Sequence, residues 1–178
     1  MFNSIVVAID GSDHAEKAAA VAADMAAKYA AEMTLLHVLP KRDISPADVR
    51  RLIDVETLPS NLREGFERFE GMQEKKEVTT AGYAIPAPYA FPEDVLVGVG
   101  DAILDKAEAI AKEHGASKIE RVLAKGDPAS IILDCARDKN ANLIVMGTRG
   151  LSDLGGLLVG SVSHKVSHLA DCTCITVR

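Results

Sequence analysis

The 178-residue chain is 48% hydrophobic and 26% charged, with 26 acids against 20 bases and a formal net charge of −6. That length suits one domain, and a chain of about 150 residues buries roughly 70% of its extended surface without disulfide or metal staples. A net acidic chain lacks the basic face that phosphate backbones and anionic membranes demand, which excludes a general nucleic-acid or membrane-surface binder, and no apolar run reaches the ~20 residues of a bilayer span. Met1-Phe2-Asn3-Ser4 has no basic n-region, and the apolar run Ile5-Val6-Val7-Ala8-Ile9 meets Asp10 at once. The segment therefore reads as a first, fully buried strand and not a signal peptide, and a cytoplasmic location is expected.

Asp10-Gly11-Ser12 breaks that strand. Asp13, with Glu16 three residues on, predicts a capping box, and Ala18, Val21, Ala22, Met25 and Tyr29 follow at helical spacing. Met33 to Leu39 is the second strand, closed by Pro40, so the first forty residues form a βαβ unit. The rhythm returns with Pro92 at a first helical turn and a face of Leu96, Ile103, Ala107 and Ile110 that stops at Gly115. Lys118 to Ala124 predicts a short strand. Asp127 as N-cap and Pro128 at the first position start the next helix. Ala141 to Met146 is a strongly apolar strand, followed by a glycine-rich loop, a helix from about Ser161 to Ala170, and a last strand from Thr173 to Val177. Five strands separated mostly by helices predict an α/β fold with an open, parallel, doubly wound sheet.

Residues 41–91 break the rhythm and read as an insertion after the second strand. Of the 37 residues from Lys41 to Glu77, 8 are basic and 9 acidic, so the segment is polar but balanced. Short helices are predicted near 46–57 and from Ser60 to about Lys76, then an extended proline-rich connector over 82–92. Cys135, Cys172 and Cys174 cannot all pair, and buried or strand-face filler is the expectation for them. His164 and His168 share a helix face without a third ligand, and His37 on a buried strand reads as a core histidine.

The chemistry concentrates in Gly147-Thr148-Arg149-Gly150 and the glycine-rich stretch to Gly160-Ser161. Ligands of open α/β sheets bind beyond the carboxyl ends of the strands, where this segment falls. Glycines let backbone approach a ligand, successive N–H groups form an anion nest, and the next helix start adds partial positive charge. The hydroxyls of Ser161 and Ser163 would supplement those donors, and Arg149 or Lys165 would bring full charge. Asp153 inside the loop reads either as a solvated acid or as help for Mg²⁺ beside a triphosphate. The loop is neither a Walker P-loop nor a Gly-x-Gly-x-x-Gly fingerprint.

The spacing Gly147-x2-Gly150-x9-Gly160-Ser161 resembles the G-x2-G-x9-G-(S/T) nucleotide motif of the universal stress protein family. Ile5 to Ser12, Leu36-His37-Val38, Gly126-Asp127-Pro128 and Val145-Met146-Gly147 resemble the family's other landmarks. The resemblance implies an adenine nucleotide alpha-hydrolase-like sheet of order 3-2-1-4-5, with Asp10 facing Gly147 across the crevice where the strands part. It also implies that Asp10 touches the nucleoside and that backbone at Val38 meets adenine; the alternative for Asp10 is a turn residue capping Ser12 or Asp13. The candidate nucleotide-binding set is thus Asp10, Val38, Met146, Gly147, Arg149, Gly150, Gly160, Ser161 and Val162, with no catalytic residue and no resident metal.

Together these features predict an ATP-binding regulatory module, with AMP or ADP as alternatives and Mg²⁺ accompanying the nucleotide. It would dimerise through the C-terminal strand and act on a further protein partner. Two rivals are a slow ATPase or phosphotransferase using the same pocket, and a nucleotide-free interaction protein.

Overall fold

A computed structural model describes residues 1–39, 43–44, 60, 77–80, 83–86, 89–90, 93–150 and 160–178. Five strands form the main sheet: β1 (Ser4–Ala8), β2 (Glu32–Leu39), β7 (Ile119–Lys125), β8 (Leu143–Gly147) and β9 (Thr173–Val177). Their spatial order is β7-β2-β1-β8-β9 and every pairing is parallel. This is the 3-2-1-4-5 order. Four helices cover it: α1 (Asp13–Tyr29), α2 (Glu93–Glu113), α3 (Pro128–Asp138) and α4 (Ser161–Leu169).

Side chains alternate across the sheet, so each central strand feeds two cores. Ile5, Val7, Leu35, Leu143 and Val145 pack with α1 and α2 on one face. Val6, Leu36, Ile144 and Met146 pack on the other with Ala129 and Ile132 of α3 and Val166 of α4. Ile5, Val6 and Val7 are each 0% exposed, and burying such a side chain contributes roughly 1.5–3 kcal/mol. The buried stripe of α1 is all alanine (Ala15, Ala18, Ala19, Ala22, Ala23 and Ala26), which lets this helix lie close against the sheet.

The helix faces follow from connection handedness. β1-α1-β2 and β2-α2-β7 step one way across the sheet, while β7-α3-β8 and β8-α4-β9 step back, so right-handed crossovers put the two helix pairs on opposite faces. The direction reverses between β1 and β8. Their carboxyl ends therefore open a crevice at the topological switch point.

Some details differ from expectation, beginning with β7, which runs one residue later than Lys118 to Ala124. The N-cap of α1 is Ser12, whose side chain accepts from the Ala15 N–H, so no capping box forms between Asp13 and Glu16. Glu16 instead pairs with Lys106 of α2 at 2.5 Å. Strand β8 starts at Leu143 and not Ala141, because the Ala141 N–H donates back to Ala136 at the end of α3 and the Asn142 N–H reaches Ser4. Within 41–91, β3 (Asp43–Ile44) pairs antiparallel with β6 (Tyr89–Ala90), and β4 (Glu77–Thr80) with β5 (Tyr83–Pro86). Part of the expected extended connector is thus paired strand. Ser60 is helical; the helix predicted over 46–57, the rest of the one from Ser60, and Asp153 lie outside the described residues.

Candidate functional site

β1 ends in a turn that Asp10 organises. Its Oδ1 accepts from the Ser12 N–H at 3.1 Å and the Ser12 hydroxyl at 2.7 Å. That is the turn role that Asp10 and Asx residues share. The other oxygen, Oδ2, lies where a side chain at Gly150 would begin, since a Cβ built there overlaps it. Asp10 therefore faces Gly150 across the crevice, and not Gly147. Gly147 faces the start of α1, where a Cβ would come within 2.9 Å of His14 Cβ and 3.0 Å of its carbonyl carbon.

Thr148 ties the glycine segment to its surroundings. Its N–H donates to the Val177 carbonyl at 2.8 Å, and its hydroxyl lies 3.2 Å from the same carbonyl and from His14 Nδ1. Its own carbonyl accepts from the Gly160 N–H at 2.7 Å and from the Ser163 hydroxyl at 2.9 Å. The two ends of the motif are thereby fastened to each other at the base.

That fastening corrects two expectations. The Gly160 N–H is spent inside the protein and the buried Ser163 hydroxyl bonds carbonyls, so neither donates into the crevice. Among the described residues, no side chain caps the start of α4. Gly160 is its N-cap and supplies no side-chain hydrogen bond, and the first N–H groups of a helix have no partner within it. Ser161 there is exposed and Val162 half-buried. Lys165 reaches Asp127 at 3.1 Å. The hydroxyl and N–H of Ser130, with Lys165 behind them, hold the Asp127 carboxyl well below its ordinary range, at about 2.

The remaining predicted residues spread around the same rim. Arg149 is half-buried, and its carbonyl lies 3.4 Å from the Ser12 hydroxyl. The Met146 side chain is buried in the core under α3 and α4, 3% exposed. Val38 stands on β2, beyond the last rung that β1 makes with that strand. Thus Asp10, Arg149 and Gly150 come together directly, Gly160 joins them through Thr148, and Val38 lies across the end of β1. Ser12, His14 and Thr148 escaped sequence reasoning as site residues. Each acts through a partner more than 130 positions away, except for the Asp10–Ser12 turn, whose Asp-Gly-Ser signal was visible.

Elsewhere, His164 and His168 stack on exposed α4 with centroids 6.5 Å apart. Burial pushes the thiols of Cys135, Cys172 and Cys174 up. Among the described residues no group of three His, Cys, Asp or Glu is placed to hold a metal ion, and no helix is long and apolar enough to cross a membrane.

A sequence model of the universal stress protein family matches residues 1–178. The chain belongs to the universal stress protein family. Universal stress protein YxiE of Bacillus subtilis is 34% identical over 178 residues, covering 100% of both chains. A universal stress protein of Thermus aquaticus, encoded in the QAH/OAS sulfhydrylase 3' region, is 33% identical with the same coverage. Among solved structures, a universal stress protein in complex with cAMP superposes with a TM-score of 0.60 at 26% identity, over 99% of this chain and 97% of that one. A universal stress protein from Archaeoglobus fulgidus in complex with dAMP, 21% identical with a TM-score of 0.59 over 99% and 98%, shares the fold.

Proposed function

We propose that this universal stress protein binds an adenine nucleotide, ATP foremost, in the crevice between the carboxyl ends of β1 and β8. The observation that carries the reading is the meeting of Asp10 and Gly150 on the rim that also holds the start of α4, which among the described residues has no side-chain cap. Phosphoryl oxygens suit such a place, because unpaired amides and the helix dipole both favour negative charge. The site fits the ligand chemically: a carboxylate accepts from ribose hydroxyls, and main chain at Val38 offers an acceptor and a donor to the edge of a base. The cAMP complex of a 26% identical relative supports an adenine nucleotide. Mg²⁺ would arrive with a triphosphate, held by its oxygens and water, as that ion is usually bound.

The role is that of a regulatory module. A nucleotide held at this rim shifts the protein between two shapes by its difference in affinity for them. Dimerisation through β9 belongs to the same proposal. β9 is last in the sheet order, and among the described residues nothing pairs its outer edge, which leaves backbone groups for a second copy. A cytoplasmic setting is part of the reading too, as is a further protein partner that senses the shape change.

Titration calorimetry with ATP, ADP, AMP, cAMP and GTP tests the binding, and incubation with ATP and Mg²⁺ tests the chemistry. Stoichiometric ATP retention without ADP formation is expected. Steady turnover abolished by Gly160→Val would establish an ATPase instead, and failure to bind any adenine nucleotide would leave an interaction protein.

A further inference from the structure

The rungs between β1 and β2 stop at Ala8 opposite Leu36, with one further bond from the Ile9 N–H to the Leu36 carbonyl at 2.9 Å. In a parallel ladder, alternate residues direct their backbone groups to the same side. Leu36 points to β1, so Val38 points there as well. A ladder continued by one step would give the Ile9 carbonyl to the Val38 N–H. Here the carbonyl is taken by a side chain: His37 Nδ1 lies 2.7 Å from it.

A carbonyl only accepts, so Nδ1 carries the proton and Nε2 is the bare nitrogen. Nε2 is buried and, among the described residues, has no hydrogen-bond partner. The ring is held in this pose by α2. Gly100 leaves space for it, since a Cβ there would stand 3.0 Å from His37 Cδ2 and 2.6 Å from Leu123 Cδ1. A histidine that tolerates a bare buried nitrogen to keep one bond to a carbonyl is spending stability on that bond, because an unpaired buried polar atom costs free energy.

We propose that His37 is a positioning residue which ends the β1–β2 ladder one rung early, so that the N–H and C=O of Val38 stay open to the edge of a purine. The proposal rests on the adenine-nucleotide reading above and names what selects the base. Adenine offers an adjacent amine donor and ring-nitrogen acceptor, which match the carbonyl and N–H of one residue. Guanine presents an oxygen acceptor and an N–H donor in those places and meets each group with its like. With His37 removed, the Ile9 carbonyl is left unpaired, and the Val38 N–H is the donor in line to satisfy it.

The test compares wild type, His37→Leu and His37→Asn by amide hydrogen exchange at Val38 and by calorimetry with ATP, GTP and inorganic tripolyphosphate. In ligand-free wild type the Val38 amide exchanges readily and becomes protected when ATP is added. In His37→Leu it is protected at least tenfold without ligand, ATP binds about tenfold more weakly, as loss of a base hydrogen bond implies, and tripolyphosphate affinity is unchanged. His37→Asn, whose side-chain N–H starts from the same position as Nδ1, restores the wild-type pattern. Val38 protection in ligand-free wild type like that of a core strand amide overturns the proposal, and this needs no variant. An unchanged ATP-to-GTP ratio in folded His37→Leu overturns it too. If no form binds ATP, the nucleotide reading fails, and the ligand-free exchange comparison still decides the claim about the ladder.

Discussion

Asp10 Oδ2 fills the space that a side chain at Gly150 would claim, although the two residues are 140 positions apart. The Asp10 carboxylate cannot swing clear cheaply, because its other oxygen is fixed by both the hydroxyl and the N–H of Ser12. Gly150→Ala is therefore expected to displace Asp10 and lower ATP affinity about tenfold or more, and Gly150→Val more still, without unfolding the sheet. In an Asp10→Ala background the same Gly150→Ala change should cost much less. A double-mutant cycle by calorimetry measures the coupling, and additive effects would contradict the contact.

Gly147 serves a different purpose. Its neighbours are the backbone and Cβ of His14, which belong to a capped helix and cannot give way as a side-chain tip can. Gly147→Ala should lower stability by about 1–3 kcal/mol, the usual range for overpacking, as read by urea denaturation. Gly150→Ala should move the melting curve less than it moves the affinity.

The two serines of α4 should also separate. Ser163 is buried with its hydroxyl 2.9 Å from the Thr148 carbonyl and 3.0 Å from that of Gly160, so Ser163→Ala should cost about 1 kcal/mol in stability. Ser161 is exposed, and Ser161→Ala should stay within about 0.5 kcal/mol of wild type. Equal losses in urea melts would contradict this assignment.

Much of the fold was legible along the chain. Apolar runs marked β1, β2 and β8, and caps at Asp127-Pro128 marked α3, because these signals are local. The errors are non-local or one or two residues wide. Ser12 and Asp13 are both good caps side by side, and Ser12 prevails because Asp10 already holds its N–H and hydroxyl. Ser163 looked like a ligand donor because nothing in its neighbourhood reveals a carbonyl of Thr148 waiting for it, fifteen residues away. The glycine spacing placed its residues beyond the carboxyl ends of the strands, but did not say which glycine meets Asp10 and which meets His14. Side-chain spacing likewise carried no sign that His37 reaches Ile9, since that bond exists only once β1 and β2 are paired.

His37 also sets a pH dependence. Burial, the largest influence, pushes its pKa below the ordinary 6.5, against smaller opposing effects of the Ile9 carbonyl and the Asp10 charge. The unfolded chain therefore binds a proton near pH 6.5 that the folded one refuses, so stability is full above that pH and declines as pH falls toward the folded value. Urea midpoints between pH 7.5 and 5 should fall more steeply for wild type than for His37→Asn. Parallel curves would show that the ring is not buried as described.

The central claim is that backbone amides beside Asp10, Gly150 and the start of α4 receive the phosphoryl groups of an adenine nucleotide. A crystal structure grown with ATP and Mg²⁺ tests it most directly. The account predicts phosphates between Gly150 and Ser161, ribose at Asp10 and the base against Val38. Nucleotide bound instead in the groove at the opposite end of the sheet, a cavity of about 190 Å³ lined by Leu133, Arg137, Ala170 and Cys172 among others, would contradict it.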